Sequence, residues 1–214
     1  EADPAWFPML DVDNIEDIYP LAPTQAGMLL HAIEAPGSGL YVNQLNLEVG
    51  NLDAARLARA WQIMVERHEM LRTGFLWHGA MVRPLQVVLR RVQAQVSLLD
   101  WSGVEAEEAE RRASLLAQQL LVRDIDWLKP PLSQVTVIDL GADHPRYRHR
   151  LIWTHHHVLS DGWSDSRLMG EWLRAYADEP LPARPEPYGD YIDWLQRQDV
   201  PQAEQFWRGE LAGC

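Results

Sequence analysis

The chain has 214 residues, 47% hydrophobic and 23% charged, enough for a folded domain with its own core and unlike a disordered tail or a small disulfide-stapled scaffold. Nineteen Lys and Arg against 31 Asp and Glu leave a formal charge of −12, with no basic block to meet a phosphate backbone, so nucleic acid is excluded as an expected partner. The single cysteine, Cys214, provides neither a disulfide framework nor a CxxC pair, and no apolar run approaches the ~20 residues of a membrane span, so a soluble, cytoplasmic protein with no membrane partner is expected.

Residues 1–23 are acidic and broken by Pro4, Pro8, Pro20 and Pro23, which predicts a linker without regular structure, entering the domain at about residue 18. Thr24 is placed to cap a helix over 25–35, stopped by Pro36-Gly37-Ser38-Gly39. The alternation of Tyr41, Asn43, Leu45, Leu47 and Val49 predicts a strand, and Asp53 caps a following helix with Leu57, Ala60, Trp61 and Met64 on one face. A hairpin is read over 73–77 and 80–88, turning at His78-Gly79, with Pro84 demoting its second arm to an edge. A short strand at 96–99 precedes a helix over 106–122, whose Leu115, Leu116, Leu120 and Leu121 are expected to face the core. Residues 132–140 and 147–156 form the clearest antiparallel pair. Ser164 is read as the cap of the next helix, with Leu168, Trp172, Leu173 and Tyr176 on its apolar side. Pro180, Pro182, Pro185 and Pro187 stiffen a connector into two aromatic-bearing helices, 188–199 and 202–212. Strands and helices in this order imply an α/β sandwich lobe with a mixed sheet and flanking helices.

The residues most able to carry chemistry stand together where the last strand runs into a loop, Thr154-His155-His156-His157-Val158-Leu159-Ser160-Asp161-Gly162. Strand alternation puts His155 and His157 on one face and His156 on the other. Four readings compete: a buried structural histidine group, a metal site from His155, His157 and Asp161, a serine-hydrolase triad, and a histidine that handles a proton in acyl transfer. A metal site wants a fourth ligand from a second His/Cys cluster, which is not evident. The triad wants a GxSxG elbow, and there is none. A histidine that titrates near neutrality can accept a proton from an attacking amine without a covalent nucleophile, a metal or a bound cofactor.

His156-His157-Val158-Leu159-Ser160-Asp161-Gly162 matches HHxxxDG, and the chain resembles the condensation domains of nonribosomal peptide synthetases. Tyr19-Pro20-Leu21-Ala22-Pro23-Thr24-Gln25-Ala26-Gly27-Met28-Leu29 resembles that family's opening motif. Arg67-His68-Glu69-Met70-Leu71-Arg72-Thr73-Gly74-Phe75 resembles its RHExLRTxF segment, and Tyr188-Gly189-Asp190-Tyr191-Ile192-Asp193-Trp194 its YxDFxxW segment. The resemblance implies the N-terminal of two chloramphenicol-acetyltransferase-like lobes: residues 1–18 linking from an upstream carrier domain, 19–179 the lobe, and 180–214 leading to a second lobe. It implies peptide-bond formation between donor and acceptor thioesters on two carrier proteins, whose phosphopantetheine arms deliver the substrates. A free-standing acyltransferase and a carrier-docking module are the alternatives.

By resemblance His157 is catalytic. His156 supports it, Asp161 anchors the loop by pairing with Arg67 or else Arg72, Gly162 admits close backbone approach, and Trp163 and Ser164 border the substrate channel. Tyr191 and Trp194 are expected to pack in the core. By resemblance the opening motif and the HHH form lean towards domains that take a D-configured peptidyl donor or towards related donor-side subtypes, and Trp163-Ser164 leans away from epimerisation domains. Asp165-Ser166-Arg167 departs from the family, which often has apolar residues and proline there.

Overall fold

The computed structural model describes residues 11–77 and 81–213. Its core is built where the helix spacing is most regular. In helix α2, Ala54–Arg67, the residues Leu57, Ala60, Trp61, Met64 and Val65 recur at the helical period and are all buried. Asp53 starts this helix as expected, its carboxylate accepting from the Arg56 N–H at 2.8 Å. Helix α4, Gly162–Tyr176, lies against α2 and buries Leu168 and Trp172. Trp61 stands between Trp172 and Trp153, with ring centroids 4.6 and 5.6 Å away.

Four strands form the main sheet in the order β2 (Val42–Val49), β7 (His149–His156), β6 (Ser133–Asp139), β5 (Gln95–Asp100). The β2–β7 and β6–β7 pairs are antiparallel and β5–β6 is parallel. On β7, Leu151 and Trp153 join the α2–α4 core while Ile152 packs on the other side. Both faces are covered, which is why the consecutive Leu151, Ile152 and Trp153 at the centre of β7 are all buried.

The opposite face carries helix α3, Ala106–Leu121, and its buried stripe is Ala109, Ala113 and Ala117. This corrects the leucine face expected from hydrophobicity. Small side chains let the helix axis approach Ile138 and Ile152 closely, Leu116 and Leu120 pack only at the flank, and Leu115 is half exposed.

A second sheet has the order β1 (Ile15–Pro20), β4 (Leu85–Leu89), β3 (Thr73–Leu76). Two expectations change here. The expected linker is not free of regular structure, because 15–20 pairs with β4 and carries the buried Tyr19. Strand β4 is central rather than an edge, since Pro84 precedes the strand and leaves its N–H groups free to pair on both sides. The turn at His78-Gly79, residues 1–10 and Cys214 lie outside the described residues.

Helix α1, Pro23–Glu34, begins after Ala22, not at Thr24, because the Gln25 side chain accepts from the Ala22 N–H at 3.0 Å. Helices α5 (Tyr188–Gln196) and α6 (Val200–Glu210) follow α4. Helix α5 buries Ile192, whereas Tyr191 and Trp194 are stacked on each other and 45% and 54% exposed, so neither packs in the core. Among the described residues no helix is long and apolar enough to cross a membrane.

Candidate active site

The end of β7 delivers the three histidines to three environments. His155 lies on the Trp153 side, its ring stacked on that indole at 4.3 Å and its Nε2 at 3.2 Å from the Asp165 carboxylate. His156 lies on the other side, edge-on to Trp127 and Tyr41, and is 1% exposed. Its Nδ1 accepts from the Val158 N–H at 3.1 Å. Burial pushes its pKa down to about 4, outweighing the upward pull of the Leu40 backbone, with His157 and His155 adding to the fall. His156 is therefore a neutral structural group near pH 7.

His157 follows the last residue of β7. Its N–H donates to the Tyr41 carbonyl at 2.7 Å, which holds the backbone against the start of β2. Asn43 reaches the ring from β2, its Nδ2 standing 3.1 Å from His157 Nδ1. With the amide NH2 donating there, the neutral ring keeps its proton on Nε2. With the amide oxygen there, Nδ1 carries the proton and Nε2 is free to accept one. The orientation of the Asn43 amide and the tautomer of the ring are thus linked, and the motifs do not point to Asn43, because as one polar residue in an alternating strand it has no local signature.

His157 borders a cavity of about 890 Å³. The same cavity is lined by Thr24, Gln25 and Met28 of the opening motif, by 67–72 of the RHE segment, by Ser160, Asp161 and Ser164, and by Tyr188, Asp190 and Tyr191. Four segments far apart in the chain thus meet at one concave site, and its size suits a small-molecule chain or thioester arm. Ser164 is on its wall, whereas Trp163 is 86% exposed and is not among the lining residues.

Asp161 does not pair with either candidate arginine. Its carboxylate accepts from the Ser164 N–H at 2.8 Å and caps α4, a role expected of Ser164. Hydrogen bonds from the Ser164 backbone and hydroxyl hold its carboxyl below the ordinary range. Arg67 instead donates to Glu171 at 2.7 Å and to the carbonyls of Pro182 and Ala183 at 2.7 and 2.6 Å, tying the proline-rich segment to α2 and α4. His68 shares the same Glu171 oxygen at 3.0 Å. Arg72 is buried against Glu16 and the Leu89 carbonyl. The Arg67 and Asp161 truncations to alanine are therefore expected to add in stability to within about 0.5 kcal/mol, while Arg67 and Glu171 couple by about 1 kcal/mol or more. Chemical denaturation of the three single and two double variants checks this, and coupling between Arg67 and Asp161 would restore the expected pair.

At Gly162, the first residue of α4, an added Cβ would meet nothing within 4 Å among the described residues, so packing within the chain does not require glycine there. A three-ligand metal site from His155, His157 and Asp161 is not formed, because the three turn to Asp165, Asn43 and Ser164 respectively. Nor is there a serine triad, since Ser160 Oγ bonds Asp165 and not a histidine.

A family model described as "Condensation domain" matches residues 15–214. The chain is 37% identical over 228 residues to a linear gramicidin synthase protein of Brevibacillus parabrevis, covering 98% of this chain and 4% of that protein. Surfactin synthase subunit 3 of Bacillus subtilis (strain 168) is 28% identical over 207 residues, covering 94% of this chain and 16% of that protein. The solved EpoB NRPS cyclization-docking bidomain from Sorangium cellulosum superposes with a TM-score of 0.78 at 25% identity, covering 97% of this chain and 43% of that one. The first condensation domain of the calcium-dependent antibiotic synthetase, solved with a substrate analogue, gives 0.71 at 22% identity, covering 92% and 48%. The chain thus spans less than half of these solved proteins and a small fraction of the synthases. Its two sheets and flanking helices are the chloramphenicol-acetyltransferase-like arrangement the motifs implied. A match across nearly its whole length, with the HHxxxDG loop seated on the cavity where the other motifs converge, makes this chain a member of the condensation domains of nonribosomal peptide synthetases.

Proposed function

We propose that this chain is the N-terminal lobe of a two-lobed condensation domain that joins a donor acyl or peptidyl thioester to an acceptor aminoacyl thioester, both presented on carrier proteins. The observation that carries this reading is the convergence of all four motif segments, with His157 among them, on one cavity of about 890 Å³. The aromatic side chains of α5 and α6, Tyr191, Trp194, Phe206 and Trp207, all between 45% and 58% exposed, support a second lobe covering this side. The phosphopantetheine arms belong to the carriers and enter as parts of the substrates.

In the reaction the acceptor α-amine attacks the donor thioester carbonyl. A C–N bond forms, the C–S bond breaks, and the amine proton ends on the departing thiol, leaving the lengthened product on the acceptor carrier. Of the two histidines of HHxxxDG, His157 borders the cavity and His156 is neutral and buried behind it. Asn43 orients its ring, Arg67 fixes the connector that forms the far wall, and Asp161 starts the helix beside it.

Mass spectrometry of amide formation by the two-lobed protein, with both carriers loaded, tests this. Product that requires both loaded carriers is the expected result. Equal product from soluble thioesters without carriers would replace it with a free-standing acyltransferase, and carrier binding with no amide would leave only a docking module.

A further inference from the structure

Asp165 opens the run Asp165-Ser166-Arg167 read above as a departure from the family, and its carboxylate reaches both His155 and Ser160. It stands in the first turn of α4, four residues beyond Asp161, whose carbonyl accepts its N–H at 2.8 Å. Its side chain points back to the motif loop. One carboxylate oxygen accepts from Ser160 Oγ at 2.5 Å, and the carboxylate also receives His155 Nε2 at 3.2 Å. His155 lies two residues before His157 and Ser160 three residues after it. A single carboxylate therefore ties together the two ends of the turn that presents His157 to the cavity.

Both partners depend on this tie. His155 is 4% exposed, and its Nδ1 has no partner among the described residues, so Asp165 is the sole hydrogen-bond partner of a ring otherwise held by stacking on Trp153. Burial alone would push the Asp165 carboxyl up, but the hydrogen bonds from His155 and Ser160 overcome this and hold it below the ordinary range, so it accepts from both as an anion. The other side of the turn is fastened by Gln25, whose Nε2 donates to the Val158 carbonyl at 3.1 Å, and by the Tyr41 carbonyl on the His157 N–H. Asp161 is unavailable for this work because its carboxylate is spent on the helix cap.

We propose that Asp165, through His155 and Ser160, is a positioning residue that locks the His157 turn in its reactive geometry, a role that the motif assigns by resemblance to Asp161. The proposal deepens the condensation reading and rests on it for its kinetic consequence. An ordinary helix-start carboxylate would interact mainly with the α4 amides and would leave the turn unaffected when replaced.

The test compares Asp165→Leu, Asp165→Asn and Ser160→Ala in the two-lobed protein by hydrogen–deuterium exchange of the peptide spanning residues 155–165 and by carrier-dependent amide formation. Leucine, close to aspartate in size, removes both acceptors. It should speed exchange across residues 157–160 about tenfold and lower kcat about 10- to 100-fold with KM for the loaded acceptor carrier within about twofold, the scale expected when a reacting group is misplaced by about 1 Å. Asparagine keeps an oxygen for Ser160 and should recover most of both losses, and Ser160→Ala should reproduce a smaller part of them while leaving the helix-start carboxylate in place. Should Asp165→Leu fail to fold, Ser160→Ala and Asp165→Asn carry the comparison. Wild-type exchange and kcat in Asp165→Leu, or in Ser160→Ala where leucine does not fold, would overturn the proposal. If the wild-type protein forms no amide, the condensation reading fails, and exchange across the turn still decides whether Asp165 locks it.

Discussion

Replacing His157 with alanine in the two-lobed protein is expected to lower carrier-dependent amide formation about 10²- to 10³-fold, the scale of losing a positioned proton-transfer or hydrogen-bonding group. Stability should change by less than about 1 kcal/mol, because the ring is only partly buried and its one side-chain partner, Asn43, can turn to solvent. Product formed at the wild-type rate by the alanine variant would remove His157 as an essential group. The neighbouring Asn43 allows a finer question. Asn43→Asp presents only oxygens to Nδ1, which fixes the proton there and leaves Nε2 as an acceptor. If His157 takes a proton from the amine, this variant keeps its rate. If His157 instead donates an Nε2–H to the tetrahedral oxyanion, Asn43→Asp should approach the alanine variant, and nitrogen-15 shifts of the His157 ring would report the tautomer directly.

The second large effect concerns stability. Trp61→Ala is expected to cost about 3–5 kcal/mol, the range for emptying a buried aromatic site. Trp61 is fully buried and packs against both Trp172 of α4 and Trp153 of β7, so its loss opens a void between the helix layer and the main sheet. Trp61→Phe should recover much of this. The indole Nε1 has no hydrogen-bond partner among the described residues, so phenylalanine removes an unsatisfied donor while keeping most of the packing. Denaturant unfolding of the two variants measures the difference. A loss below about 1 kcal/mol for the alanine variant would mean that the layers close over the gap. Because Trp153 also stacks on His155, the same void lies one side chain from the turn that carries His157.

Those expectations divide what local pattern encodes from what packing decides. The α2 stripe was legible because five buried residues follow one helical period, and the Asp53 cap because a side-chain acceptor before such a stripe satisfies free amides. The β6–β7 pair was legible as two β-rich runs around a turn. The leucines of α3 misled because hydrophobicity ranks side chains singly, whereas a helix lying on a sheet buries the face that allows closest approach, here the alanines. Strand β1 was missed because its identity comes from pairing with β4, about seventy residues away, and not from its own prolines and acids.

The site divides the same way. The opposition of His156 to its neighbours follows from strand alternation, and the four motifs follow from residue identity at fixed spacing, so the family and its histidine loop were readable from the chain alone. The partners of the charged and polar groups were not. Arg67 turns to Glu171 and the connector, Asp161 to the start of its own helix, Asp165 to the histidine turn, and Asn43 to His157. Sequence determines which residues carry charge and which stretches prefer helix or strand, because those are properties of short segments. Which donor meets which acceptor depends on where distant segments come to rest, and a buried charge takes the partner that packing leaves within about 3 Å.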